Sequence, residues 1–488
     1  MSSDSLLLGI DAGHTVTKAV LVDEDGRQVA LGQSHVPHVE TDSTWQEHDM
    51  EAQWRAVAEA VRVCLDGVDP ARVRGVGACG HSDGVYLFTR QGDAVRPSIL
   101  ATDSRAQAQA ELLEHTAGQE LLASIGQVLF PASPGAVLLW LAEHEPQSLA
   151  AADHVGNCKD WLRFKLTGVA GTDVSDASGS FADMHTHAWS DRALDLSRVT
   201  GARRLLTPIS AASDVVGSVT ESAAELTGLR AGTPVVAGAH DVHAAALGVG
   251  AVGVGAVSVI LGTWSINQVM SDAPSPDPRW HTRASLRADR WLHMSTSPAS
   301  ASNVNWAAST FGWEVSALAE LVPAAVARLQ RDPALPVFLP YLYGAPAGTN
   351  PGARFLEVRG WHRREDLLAA VIGGVAFNHR HHLDMLAERI RATGPIHLTG
   401  GAARNPAWCQ LISDTMQREV VRSDTEESGA RGSAMLAGIG IGVYGGIDDA
   451  SARATRIVDR FQPDPASGER LEAAYQHYRT FARAAIGV

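Results

Sequence analysis

Apolar positions along the chain change period several times. Leu6–Ile10 is a short apolar run. A polar, glycine-bearing turn follows at Asp11–Thr15, and a second apolar run, Thr17–Val22, closes at Gly26. Runs of this length around a glycine turn predict a β-hairpin. The same design recurs half a chain later, with a strand at Val257–Leu261, a turn at Gly262–Trp264 and a returning strand at Ser265–Met270. Each turn carries a glycine and a threonine. The repetition predicts two related halves, residues 1–246 and 247–488. Between the hairpins the spacing alternates. Trp54–Leu65, Ala106–Leu122, Pro134–His144, Arg364–Arg391, Pro406–Gln417 and Ser433–Gly445 have helical spacing, whereas Val73–Cys79, Val235–Ala239 and Ile396–Thr399 read as short buried strands. Strands alternating with helices predict α/β domains. Ser271–Pro278, Ala345–Gly352 and Gln462–Ser467 predict loops.

Length supports two domains, because 488 residues exceed what one hydrophobic core organises. Hydrophobic residues at 45% and charged residues at 19% fit a globular chain and exclude disorder. The formal net charge of −14 argues against nucleic acid and anionic membrane as partners. Ala244–Trp264 has no charge but contains Gly248, Gly250, Gly253, Gly255 and Gly262. This predicts a helix end, a glycine turn and a buried strand, not a membrane span. Cys64, Cys79, Cys158 and Cys409 are scattered without a C-x-x-C pair, as expected in a reducing compartment. Met1–Ser5 has no basic region of the secretory type, so a cytoplasmic location is expected.

Three segments could carry chemistry. In Gly9-Ile10-Asp11-Ala12-Gly13-His14-Thr15-Val16-Thr17-Lys18, a carboxylate ends a strand before a glycine turn. Such a turn can hold hydrated Mg2+ beside phosphates and offer N–H and hydroxyl donors to phosphate oxygens. Lys18, one of only three lysines, adds a cation. Read alone, an ordinary hairpin with Asp and Gly as turn formers explains the segment at least as well. The second segment runs from Val235 through His240-Asp241 into an alanine-rich helix. Asp241 at a strand end could take a proton from a hydroxyl, and read alone it suits a helix N-cap better. His240 and His243 are too few for a metal site. The third, Thr399-Gly400-Gly401-Ala402-Ala403-Arg404-Asn405-Pro406, is a strand, glycine turn and helix start, a common anion or nucleotide site. Tight packing explains its glycines equally. No P-loop sequence occurs. His379-Arg380-His381-His382 points in several directions on a helix, which predicts a solvated surface.

Taken in order, these segments resemble the FGGY carbohydrate kinases, of the actin-like, sugar kinase and Hsp70 fold group, over residues 6 to about 445. The fold implied is two ribonuclease H-like α/β domains with an ATP cleft between them. Gly9–Lys18 and Leu261–Trp264 look like the family's two phosphate hairpins. Thr102-Asp103-Ser104-Arg105 resembles its Asp-x-Arg segment, His240-Asp241 the segment with its base, and Phe338–Gly344 with Asn350–Arg354 its C-terminal signature. Gly400–Asn405 and Glu427–Gly432 resemble the adenosine segment. The resemblance implies ATP at Gly13, His14, Thr15, Lys18, Gly262, Thr263, Gly400, Gly401, Ala402 and Asn405. It implies Mg2+ at Asp11 and Asp241, Asp241 as catalytic base, and a small sugar or polyol at His81, Ser82, Asp83, Asp103, His240, Asp241 and Trp264. A homodimer stays open.

Departures from the family narrow the acceptor. His14 stands where Thr or Ser is usual, and Ala101 where glycerol kinases carry Trp. Neither the Arg-Glu of glycerol kinases nor the Gln-Met-His-Gly of D-xylulose kinases occurs near His81-Ser82. Gly344-Ala345-Pro346 replaces Gly-Glu-Arg, and this, with Gln46–Met50 and Gly262-Thr263-Trp264, is similar to L-xylulose kinases. Cys158–Leu162 and Ser82-Asp83-Gly84 are more similar to erythritol kinases. The expected acceptor is therefore L-xylulose or a related pentulose, with a four-carbon polyol or ketose as the alternative. A non-catalytic sugar or nucleotide sensor is a third reading, although it would not need both Asp11 and Asp241. An actin- or Hsp70-like ATPase would lack an acceptor pocket.

Overall fold

The computed structural model describes residues 5–37, 45–81, 83–331, 335–345 and 351–486. The first sheet contains β1 (Leu6–Ala12), β2 (Val16–Asp23), β3 (Gln28–His35), β4 (Val73–Gly80), β5 (Val215–Ser218), β6 (Pro234–Val236) and β7 (Ala239–His240). Its order is β5-β6-β4-β1-β2-β3, with β7 pairing on β4. β1 runs antiparallel to β2 and parallel to β4. The second sheet contains β8 (Val257–Leu261), β9 (Ser265–Ser271), β10 (His281–Ala284), β11 (Trp291–Ser297), β12 (Ile396–Thr399), β13 (Val420–Ser423) and β14 (Ile457–Phe461), ordered β10-β11-β9-β8-β12-β13-β14. β8 is antiparallel to β9 and parallel to β12. Both sheets therefore place a hairpin beside a parallel strand and close on an antiparallel edge pair. This is the two-domain architecture that the paired hairpins predict.

β1 is an unbroken apolar run because both of its faces are covered, the usual reason strands lose their alternation. Leu6, Leu8 and Ile10 pack with Met50, Trp54, Val57 and Val61 of α1 (Met50–Cys64). Leu7, with Val20 and Val22 of β2, packs on Ala430, Ala434 and Ala437 from the opposite side. α2 (Asp241–Gly248) follows β7, and α3 (Arg364–Ala387), α4 (Pro406–Met416), α5 (Ser428–Gly440) and α6 (Pro465–Ile486) belong to the second half of the chain. The alanines against Leu7 are on α5, which thus lies on the first sheet. Gly9 and Gly77 permit its close approach, since a Cβ on either would overlap a carbonyl oxygen of α5. Helices Gln107–Ile125 and Pro134–His144 form a separate apolar cluster between β4 and β5.

Three expectations change. His379, His381 and His382 are buried rather than solvated. Polar residues receive two of them: His379 meets Ser265 and Asn267 of β9 and Ser300 just beyond β11, and His382 meets Ser295 and Ser297 of β11. The loop expected at Gln462–Ser467 gives way to α6 at Pro465, because proline is compatible with a first helical turn. α5 starts at Ser428 instead of Ser433, its small residues being drawn onto the first sheet. Residues 346–350 of the loop expected at Ala345–Gly352, including the Asn350 that begins the Asn350–Arg354 segment, lie outside the described residues. Among the described residues, no helix is long and apolar enough to cross a membrane. All four cysteines are buried and free.

Candidate active site

Strand register gathers the first group of residues. Asp11 pairs with Cys79 across β1 and β4, while Ala239 and His240 pair with Cys79 and Gly80 across β7 and β4. Asp11, His81 and Asp241 therefore leave neighbouring strands at one carboxyl edge, where open α/β sheets bind ligands. Asp11 points at the first turn of α5, and a Cβ on Gly429 would overlap its carboxylate. A helix start favours an anion there. Burial nevertheless pushes the Asp11 carboxyl up to about 7; the Asp241 charge adds to this and Lys18 opposes it.

Asp241 is the first residue of α2, and the N-cap is His240. The capping alternative for Asp241 thus falls to its neighbour, whose Nδ1 accepts from the Val242 N–H at 3.3 Å. Asp241 Oδ1 accepts from the same N–H at 2.6 Å and lies 2.7 Å from His240 Nδ1. The Asp241 side chain is 37% exposed, so the carboxylate opens onto the cleft. Burial pushes it up to about 6, while the hydrogen bond from the Val242 N–H opposes the rise. A carboxyl with this value is mostly ionised at neutral pH yet basic enough to accept a hydroxyl proton. The His240 N–H is held by Ser175 Oγ at 2.9 Å. Beneath it Lys159 is fully buried among Asp160, Asp173 and Asp176, at 2.6, 3.0 and 3.1 Å. The site floor is therefore rich in carboxylates.

His14, on the first hairpin turn, lies against His81 with ring centroids 4.2 Å apart and the rings tilted by 42°, and His48 lies 6.0 and 5.7 Å from them. His81 Nε2 meets the Tyr86 hydroxyl at 2.8 Å, and that hydroxyl donates to Gln53. Burial lowers His14 to about 4 and His81 well below its ordinary value, so both are neutral at pH 7. Among the described residues no group of three or more His, Cys, Asp or Glu is arranged to hold a metal. Asp11 and Asp241 remain as two carboxylates in one cleft. Their raised values are what a divalent cation would relieve, and they suit Mg2+, which takes one or two carboxylates and keeps phosphate oxygens and water.

The second edge repeats the first. Ile260 pairs with Thr399 across β8 and β12, which puts the turns Gly262–Trp264 and Gly400–Gly401 at neighbouring strand ends. Thr263 is exposed and Trp264 half-buried. Gly400 has φ 99°, in the left-handed region, and a Cβ would crowd the Leu261 carbonyl at 2.7 Å. Asn405 Oδ1 accepts from the Ala407 N–H and caps α4. Lys18 reaches from the first hairpin to Glu427 at 2.6 Å, just before α5, and Arg404 comes within 3.6 Å of the same carboxylate.

Ser82 lies outside the described residues. Asp103 is not free in the cleft. It binds Arg105 through both oxygens, at 2.9 and 2.8 Å, and accepts from the Gln46 N–H at 2.6 Å. Arg105 in turn stacks 4.1 Å from the Trp45 ring. Asp83, by contrast, meets a residue that the sequence reading did not single out. Arg283 Nη2 donates to both Asp83 oxygens, at 2.9 and 3.0 Å. Arg283 sits on the short strand β10, and the surrounding His281-Thr282-Arg283-Ala284-Ser285 carries no sequence signal that sets it apart.

Two family profiles cover most of the chain: residues 6–248 match the N-terminal domain, and residues 257–441 the C-terminal domain, of the FGGY family of carbohydrate kinases. The L-xylulose/3-keto-L-gulonate kinase of Escherichia coli (strain K12) is 29% identical over 479 residues, 97% of this chain and 95% of that protein. The xylulose kinase of the same strain is 31% identical over 447 residues, 89% of this chain and 90% of that protein. The crystal structure of xylulose kinase from Rhodospirillum rubrum superposes with a TM-score of 0.88 at 27% identity, covering 98% of both chains.

Proposed function

The chain belongs to the FGGY family of carbohydrate kinases, and on that premise we propose that it transfers the γ-phosphate of Mg·ATP to a hydroxyl of a small ketose, L-xylulose or a related pentulose. The observation that carries this reading is Asp241. It stands at a strand end, open to the cleft, beside Asp11 and with a carboxyl value of about 6. In this reading Asp241 takes the proton of the attacking hydroxyl as the O–P bond forms and ADP leaves. Thr15 and Thr263 offer donors to the phosphates, Gly400–Asn405 hold the adenosine, and Lys18 exchanges Glu427 for a phosphate oxygen. Mg2+ bound with ATP supplies charge neutralisation, and Asp11 and Asp241 are the residues that would hold it. Neutral His14 suits hydrogen bonds to uncharged hydroxyls, while both nitrogens of His81 are engaged, by the Ala12 carbonyl and the Tyr86 hydroxyl, and position the ring beside it. The domain division at residues 246–247, the ATP and Mg2+ assignments and a cytoplasmic location belong to the same proposal.

The pentulose preference rests on the identity to L-xylulose kinases and on the absence of Trp at Ala101. The decisive experiment is ADP release over ketopentoses, tetroses, alditols and glycerol. A pentulose should stimulate it most strongly. No stimulation by any member would overturn the kinase reading, and a four-carbon acceptor outperforming every pentulose would transfer it to the erythritol class.

A further inference from the structure

Arg283 belongs to the second sheet, yet its guanidinium lies against the first domain. It is 1% exposed, and among the described residues only Nη2 has a hydrogen-bond partner. Nε and Nη1 are buried and make no hydrogen bond. Nη1 does have a glycine beside it: a Cβ on Gly179 would stand 3.2 Å away. His240 Nε2, on the neighbouring strand end, is buried and unpartnered as well. Two cationic donors and an imidazole nitrogen left idle together are costly unless a ligand fills them. Asp83 is held for the task. Its φ is 61°, followed by Gly84 at 76°, and the Gly84 N–H is tied to the Ala132 carbonyl at 2.9 Å.

The surrounding charge selects the ligand. Asp83 neutralises Arg283, Lys159 faces three carboxylates, and Asp11 and Asp241 lie nearby. The field is negative overall, which disfavours an anionic acceptor. Asp83 follows the end of β4 and Asp241 the end of the neighbouring β7, so the clamp and the base stand at one sheet edge.

We propose that Arg283 and Asp83 form a cross-domain clamp that reads the hydroxyl and carbonyl oxygens of an uncharged ketose, at the end away from the hydroxyl that Asp241 deprotonates. Arg283 Nε and Nη1 donate to the sugar, and Asp83 accepts from it. Because the partners sit on different domains, the sugar enters before they close, and its binding favours closure. Arg283 is thus a specificity residue supplied by the domain opposite the base. The inference deepens the proposed function and rests on it for the acceptor class.

The test separates the clamp from a plain ion pair. Arg283→Lys keeps a cation for Asp83 and removes the two idle donors. Binding is read by calorimetry with Mg·ADP present, independent of turnover. We expect R283K to weaken pentulose binding by roughly tenfold to a hundredfold, the value of one or two charge-assisted hydrogen bonds. Glycerol, too short to span base and clamp, should change less than threefold, and the wild-type chain should bind a sugar acid of equal length more weakly than the ketose. Asp83→Asn should reproduce the pentulose loss. Pentulose affinity in R283K within threefold of wild type would overturn the clamp, as would an equal loss for glycerol or a wild-type chain that binds no acceptor. A chain that binds pentulose normally without phosphorylating it would overturn the kinase reading and leave the clamp standing.

Discussion

Replacing Asp241 with Asn tests the chemistry most directly. The change keeps the shape and leaves an oxygen to accept from the Val242 N–H, now at 2.6 Å. His240 Nδ1 also accepts from that N–H, so the helix start and the local fold should survive. What is lost is a base poised near its working pH. General base catalysis contributes about 10²–10⁴-fold, or roughly 3–5 kcal/mol of barrier. We therefore expect kcat to fall by that factor while the sugar dissociation constant stays within a few-fold. The pH profile adds a second readout. Asp241 must be ionised to act, and its carboxyl lies at about 6. Activity should hold above that value and decline as pH falls through it, by about tenfold per pH unit. A cation bound beside the carboxylate stabilises the ionised form, so the midpoint with Mg·ATP should lie at or below 6. In the Asn variant this acid limb should vanish. The assay is coupled ADP release under saturating Mg·ATP from pH 5 to 8. A variant that keeps more than a tenth of wild-type kcat, or keeps the acid limb, would remove Asp241 from the role.

Gly429→Ala would set a methyl group against the Asp11 carboxylate. It should cost about 1–3 kcal/mol of stability by overpacking and raise the Mg2+ concentration for half-maximal activity by roughly tenfold; unchanged Mg2+ dependence would show that Asp11 does not hold the cation. His379 is fully buried, and burial holds it at about 3, below an unfolded value of 6.5. Its contribution to stability is thus complete above 6.5 and is lost as pH falls towards 3, because the unfolded chain takes the proton first. Between pH 7 and 5.5 that loss is about 1.2 kcal/mol. In urea unfolding, His379→Asn should lose less stability over this interval by that amount, and an identical pH dependence would refute the neutral buried imidazole.

Local signals made much of the molecule legible. Leu6–Asp23 and Val257–Ser271 announced hairpins because a glycine turn between apolar runs has few other solutions. The ends of those strands carry Asp11, Gly13 and Thr263, so reading the hairpins also located part of the candidate site. Asp241 was found by the same logic, although its capping alternative required the observed N-cap at His240 to be resolved. What stayed hidden was non-local. Nothing near Asp83 in sequence announces Arg283, 200 residues away. Nothing in His379–His382 reveals that Ser265, Ser295 and Ser297 face them, since each serine is an ordinary strand residue by itself. Helical period alone cannot separate a polar face that meets water from one that meets a polar sheet.

α5 shows why the two halves act as one unit although the chain repeats itself. It follows the adenosine-like turn of the second half but covers the inner face of the first sheet. Without it Leu7, Val20 and Val22 would lose their cover, and a sheet of this kind needs both faces covered. The cover is tight because glycines lie on both sides: Gly9 and Gly77 on the strands, Gly432 on the helix against Ala244 of α2, and Gly248 of α2 against Ser428. Those contacts fix α5 to the two elements that end in Asp11 and begin with Asp241. A displacement of the second domain that carries α5 is therefore felt at both carboxylates, through backbone contacts with little slack. Of the other links between the two halves, Lys18 with Glu427 and Asp83 with Arg283 are ionic, whereas Gln127 with Thr282 and Trp291 with Met184 are neutral hydrogen bonds. Packed glycines hold the base of the cleft, while in the proposed function the two largely buried charged pairs are the contacts that a phosphate and a sugar compete for.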